Sequence, residues 1–131
     1  MTTVVDGNNV MGSVPDGWWR DRPGAVRRLL GRLQRYATSP EGAGRQVVLV
    51  LDVPQADLPA GPHDGVEVVY PDRRGRNAAD DRILRLLDDG VEGPGVEVVT
   101  SDRGLAAGVA DRGVTVVGAR TFLARLDAAG C

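Results

Sequence analysis

Short runs of β-branched residues recur along the chain, separated by stretches with helical spacing. TTVVD (2–6), QVVLVLD (46–52), VEVVY (66–70), VEVVTSD (96–102) and VTVVG (114–118) predict strands, mostly apolar on both faces, as in a parallel sheet covered by helices. Helices are predicted over 21–37, 77–89, 103–111 and 119–128. The first has the clearest stripe: Val26, Leu29, Leu30, Leu33 and Ala37 share one face, Pro23 lies in the first turn, and the arginines point away. The connection 53–65 carries three prolines and no helical period, which predicts an irregular loop. Alternating strands and helices predict one domain over 1–131, a three-layer α/β/α fold around a mostly parallel five-stranded sheet with right-handed crossovers.

Composition bounds the chemistry. With 131 residues, 42% apolar and 26% charged, the chain suits a single globular core. No run approaches the ~18 apolar residues of a membrane span, and the N-terminus lacks a basic segment followed by an apolar one, so a cytoplasmic protein with no membrane partner is expected. Cys131 is the sole cysteine, which excludes an intrachain disulfide and a thiolate metal cluster. All sixteen basic residues are arginine. A P-loop, or a phosphoaspartate site with its usual lysine, therefore cannot be assembled. Nor does DGNNVMG after the first strand match the G-x-G-x-x-G dinucleotide fingerprint. Net charge is only −2, but arginine is clustered: six lie between Arg20 and Arg35, and Arg73, Arg74 and Arg76 precede a pair of aspartates.

Those aspartates carry the functional signal. In an open parallel sheet ligands gather beyond the carboxyl ends of the strands. Asp6, Asp52 and Asp102 end the first, second and fourth strands, and Asp80 with Asp81 opens the helix after the third. Any one of them has an ordinary structural role as a turn former or helix cap. Asn77 with Asp80 three residues on resembles a capping box. Several together cost more: two carboxylates 4 Å apart repel by about 4 kcal/mol at an effective dielectric of 20, unless one protonates or a cation binds. At 100° per residue Asp80 falls on the face of Ala79, Ile83, Leu84, Leu86 and Leu87, where a bare carboxylate must be paired, protonated or coordinated. Asp81 falls outside that arc, where it would complete a metal's outer shell or pair with Arg85.

VVDGNNVMGS, NAADDRI and VVTSDRGL resemble, in order and spacing, the acidic motifs of the NYN domain, the branch of the PIN-like nuclease superfamily that includes YacP-like ribonucleases. The resemblance spans the first to the fourth strand. It implies a PIN-like fold and a metal-dependent endoribonuclease using one or two Mg²⁺ or Mn²⁺ ions. Asp6, Asp80, Asp81 and Asp102 would be the metal-binding and catalytic acids, with Asn9 bracing Asp6 or touching a phosphate. Asp52, Ser13, Thr100 and Ser101 would support them. All-oxygen donors suit hard divalent cations. RNA is the implied partner, with Arg73, Arg74, Arg76, Arg103, Arg20 and Arg22 placed to hold phosphates. Trp18 is the candidate stacking platform for an unpaired base, against the alternative that one of the two adjacent tryptophans is buried and the other covers the loop. Specificity would come from a partner such as the ribosome or another protein. The alternative function is a non-catalytic RNA- or protein-binding module whose acids serve the fold.

Overall fold

A computed structural model describes residues 1–90 and 95–131. The described elements run β1 (Thr2–Asp6), α1 (Gly7–Gly12), a 3-10 turn (Trp18–Arg20), α2 (Arg22–Thr38), β2 (Gln46–Val50), β3 (Gly61–His63), β4 (Val66–Val69), α3 (Ala78–Asp88), β5 (Val96–Val99), α4 (Arg103–Asp111), β6 (Thr115–Val117) and α5 (Ala119–Ala128). They form a six-stranded sheet in the order β3-β4-β2-β1-β5-β6. Every pairing is parallel except β3 with β4. No described helix is long and apolar enough to cross a membrane.

Alternation along the strands builds both outer layers. Val5, Val47, Leu49 and Val99 face a core made with α1, α2 and α5, while Val4, Val48, Val50 and Val98 face one made with α3 and α4. Side chains that point to opposite faces at period two, all of them apolar, require helices on both sides. β1 is buried along its whole length.

The sheet has one strand more than the pattern predicts, because 61–63 pairs antiparallel with β4 inside the expected loop. Asp64 and Gly65 both take positive φ, 48° and 91°, the two-residue hairpin geometry that an Asp-Gly pair favours. That signal stood in the sequence, although Pro62 and the lack of alternation hid the strand. Pro62 is tolerated because β3 is an edge. The short helix α1 was also not predicted, since six residues are too few to display a period. Tyr36 packs into the core on α2, while Ala37, expected in the stripe, is only half-buried.

The chain's path sets where function belongs. From β1 the strands first advance to β2 and β4 on one side; after α3 the chain returns to place β5 on the other side of β1. The reversal between β1 and β5 is a topological switch point, where crossovers depart to opposite faces and leave a crevice at the carboxyl ends of the strands.

Candidate active site

Asp6 and Asp102 flank that crevice, one ending β1 and the other following β5. A cleft of about 310 Å³ opens there, lined by Asp6, Asp52, Asp80 and Asp102 together with Asn8, Asn9 and Arg76. Four of the five candidate acids therefore meet on one surface. Asp81 does not: it is exposed and pairs with Arg73 on the neighbouring loop. The expected Asp81–Arg85 pair is absent, and Arg85 binds Asp72.

The DGNN segment organises the crevice through both asparagines. Asn8 Oδ1 accepts from the Asp52 amide at 2.9 Å, and Asn9 Oδ1 accepts from the Ser101 amide at 2.7 Å. One residue thus ties the end of β1 to β2 and the next ties it to β5. Gly7 lets α1 start this close to the sheet. Asn9 was expected to brace the site; Asn8 was missed, although its place beside Asn9 on the first turn after a strand was a usable clue. Asn9→Ala is expected to destabilise the fold by about 1 kcal/mol, the usual worth of one such bond, measurable by chemical denaturation.

Thr100 and Ser101 turn out to position protein groups. The buried Thr100 hydroxyl donates to Asp6 Oδ2 at 2.9 Å and accepts from the Asp102 amide at 3.1 Å. Ser101 Oγ accepts from the Ala119 amide at 2.8 Å and so caps α5. Ser13 donates back to the Asn9 carbonyl within its own turn, away from the acids. Asn77, expected to cap α3 with its side chain, sits at φ 61° and makes no side-chain cap; its carbonyl accepts from the Asp81 amide instead. Asp102 does cap, accepting from the Leu105 amide at 2.9 Å, and it is exposed.

Asp6 is the group under strain. Only 4% of its surface is exposed. Burial, helped by the charges of Asp80 and Asp102, raises its pKa to about 6; the Thr100 hydroxyl and the Asn9 amide, the latter too loosely placed for a full cap bond, oppose the rise. Asp80, half-buried on α3 as its helical position predicted, is likewise raised, by burial first and then by Asp102 and Asp81. Among the described residues Asp6 forms no ion pair, and apart from Arg76 the polar side chains lining the cleft are carboxylates and amides. That chemistry fits Mg²⁺ or Mn²⁺. Among the described residues no group of three or more His, Cys, Asp or Glu side chains is arranged to hold an ion directly. The fit is therefore to a hydrated ion held by one or two carboxylates, as Mg²⁺ prefers.

The arginines divide sharply. Eight form ion pairs with described residues: Arg27, Arg28, Arg32, Arg45, Arg73, Arg85, Arg112 and Arg125. Arg35 and Arg82 donate to main-chain oxygens. Among the described residues Arg20, Arg22, Arg74, Arg76, Arg103 and Arg120 do neither. These six occupy the 3-10 turn, the loop before α3, or the first turn of α2, α4 and α5. Each such position follows a parallel strand and so lies at the sheet's carboxyl edge, together with the acids. Arg73, expected among the phosphate-holding residues, is committed to Asp81 and to the Arg76 carbonyl. Arg120, which follows β6 as Arg103 follows β5, was overlooked. Trp18 is half-buried against the core; Trp19 is the exposed ring, 60% accessible.

Sheet, switch point and acidic crevice define an α/β domain whose polar site lies at the carboxyl edge of a mostly parallel sheet. The chain matches the family model of the YacP-like NYN domain over residues 3–130. It belongs to that family, which makes it a nuclease-like, RNA-related domain. In fold it is similar to the crystal structure of Rae1 (YacP) from Bacillus subtilis, with a TM-score of 0.78 and 23% identity over 99% of this chain and 75% of that one. A mutant of the same Bacillus protein gives a TM-score of 0.78 and 22% identity over 98% and 76% of the two chains. No curated protein matches in sequence.

Proposed function

We propose that the protein is a divalent-metal-dependent endoribonuclease that hydrolyses RNA phosphodiesters at the crevice between β1 and β5. One observation carries the reading: a buried carboxylate, Asp6, stands in a cleft with Asp52, Asp80 and Asp102, while the unpaired arginines gather on the same edge. Acids alone would repel a phosphodiester, and arginines alone would bind it without cutting.

Asp6, Asp80 and Asp102 would hold the ion between them, part of the contact running through its retained waters. A bound Mg²⁺ or Mn²⁺ would supply a nucleophile at neutral pH and offset charge on the scissile phosphate and its leaving oxygen. The chain's own part is positioning. Thr100 fixes the Asp6 carboxylate, Asn8 and Asn9 hold both strand ends at fixed spacing, and Arg74, Arg76 and Arg103 would grip flanking phosphates without reading bases. Specificity would then come from a partner, such as the ribosome or another protein.

The test is incubation of labelled RNA with Mn²⁺ or Mg²⁺ beside Asp80→Asn and Asp102→Asn proteins. Each variant is expected to cut roughly 100-fold more slowly, the usual cost of removing one group that stabilises developing charge. Variants that cut as fast as the parent would assign the activity to a contaminant. Asp102's capping bond, and the lack of a direct three-carboxylate set among the described residues, favour a second reading, a non-catalytic RNA- or protein-binding module. In that case no RNA is cut and the protein's melting temperature does not respond to divalent ions.

A further inference from the structure

Beside the acid cleft lies a separate hollow of about 500 Å³, walled by Ser13, Val14, Pro15, Trp18, Trp19 and Arg120. Among the described residues no carboxylate lines it. The acids that flank the two tryptophans in sequence are engaged: Asp16 with Arg28 at 3.1 Å, and Asp21 with the Gly24 amide at 3.1 Å. An indole ring left 60% exposed exposes much apolar surface to water, and this one is held in place. The Trp18 ring meets it edge-on, 6.1 Å between centroids at 89°. Guanidinium groups lie over both rings, Arg20 at 5.8 Å from Trp19 and Arg22 at 5.2 Å from Trp18.

The hollow and the cleft are joined by one short helix. Asn8 and Asn9, which line the cleft, and Gly12, which borders the hollow, belong to the same six-residue helix, a span of about 9 Å at 1.5 Å per residue. On the other side Ser101, next to Asp102, holds the Ala119 amide, and Arg120 is the next residue. A chain leaving the acids thus meets aromatic rings and unpaired arginines within a short extended span.

We infer that this hollow binds an unpaired nucleobase of a single-stranded RNA, stacked on Trp19, with the adjoining phosphates at Arg120 and Arg22. Aromatic rings interleaved with arginine accept any base face and a negatively charged backbone. A duplex keeps its bases stacked internally and has none to offer. The inference rests on the RNA reading above and adds to it the strandedness of the substrate and the residue that senses it. The exposed ring is Trp19, not the Trp18 expected from the sequence.

Both tryptophans of the chain sit here, so selectively excited tryptophan fluorescence reports on this hollow alone. The full-length protein is titrated in EDTA, where cleavage is not measured, with a short oligo(U) strand and with the same strand annealed to oligo(A). Quenching by the single strand and little by the duplex is the expected result. Trp19→Ala should weaken binding of the strand roughly tenfold, within the range found for removing one stacking platform, and Trp19→Phe should restore most of it. Arg120→Ala should reduce the slope of log affinity against log salt by about 0.7. Equal quenching by strand and duplex, or a Trp19→Ala protein that binds the strand like the parent, overturns the inference; the second outcome would leave the ring as a protein-docking anchor. RNA cutting without this stacking would sink the inference alone, and stacking without cutting would sink only the nuclease reading.

Discussion

In the absence of divalent cations at pH 7, Asp6→Asn is expected to be more stable than the parent by about 2 kcal/mol, and roughly 1000-fold less active when Mn²⁺ is restored. The stability gain follows from the carboxylate's position. A pKa raised from 3.8 to about 6 means that ionising Asp6 costs the folded state about 3 kcal/mol at neutral pH, at 1.36 kcal/mol per unit. Asparagine keeps an oxygen for the Thr100 hydroxyl and removes the charge, at some loss where its amide meets backbone donors. The melting temperature should rise by roughly 5–10 °C for a domain of this size. The activity loss lies at the upper end for removing a single charge-stabilising group.

The pH dependence has a definite sign. Because the folded pKa is raised, the destabilisation is absent below pH 4, grows as pH rises from about 4 to 6, and is constant above. Asp80, also raised, adds in the same direction. Glu97, whose burial alone would raise its pKa, is lowered overall by its pairing with Arg125 and its bond from Thr3, and acts oppositely and only in more acid solution. Denaturation curves should therefore show parent and Asp6→Asn converging near pH 4 and diverging toward pH 6. At pH 7 the parent should gain stability with the logarithm of Mn²⁺ concentration, about 2.7 kcal/mol at 100 times the dissociation constant. The variant should respond far less. An equal response in both proteins would place the ion elsewhere.

The second large effect needs only one methyl group. A Cβ at Gly7 would stand 2.8 Å from Leu51 Cδ2, 2.9 Å from Leu49 Cδ1 and 2.9 Å from the Val50 carbonyl oxygen. Two of these are side-chain ends, but the third is main chain in a central strand and cannot rotate away. Gly7→Ala is expected to cost about 2–3 kcal/mol through overpacking. It should also lift α1 from β2, drawing Asn8 and Asn9 from the Asp52 and Ser101 amides, and a displacement near 1 Å would cost roughly 100-fold in cleavage. Gly12→Ala, at the far end of α1 with only Trp18 atoms at 3.8 Å or beyond, provides the control and should melt like the parent. If both substitutions behave alike, the close approach of α1 to the sheet is not what holds the crevice.

Much of this architecture was legible beforehand. Runs of β-branched residues place five of the six strands and the period of Val26, Leu29, Leu30 and Leu33 marks α2, because burial on two faces or on one stripe leaves a local trace. Asp80 was legible for the same reason, as an acid on an apolar arc. Short elements left weaker traces: β3 was announced only by Asp64-Gly65, and α1 by nothing periodic.

The chain's own pattern determined that a parallel α/β sheet forms, that acids end its strands and that arginine takes the place of lysine throughout. Tertiary structure alone decided which of these groups are available. Whether an arginine is free depends on which carboxylate folds up beside it, so Arg73 is consumed by Asp81 while Arg76 and Arg120 remain. Whether an aspartate is strained depends on the solvent and charge around it in three dimensions, so Asp6 titrates near 6 while Asp81, one residue beyond Asp80, stands in water beside an arginine. Composition and spacing are one-dimensional, whereas desolvation and charge pairing are set by neighbours far apart along the chain.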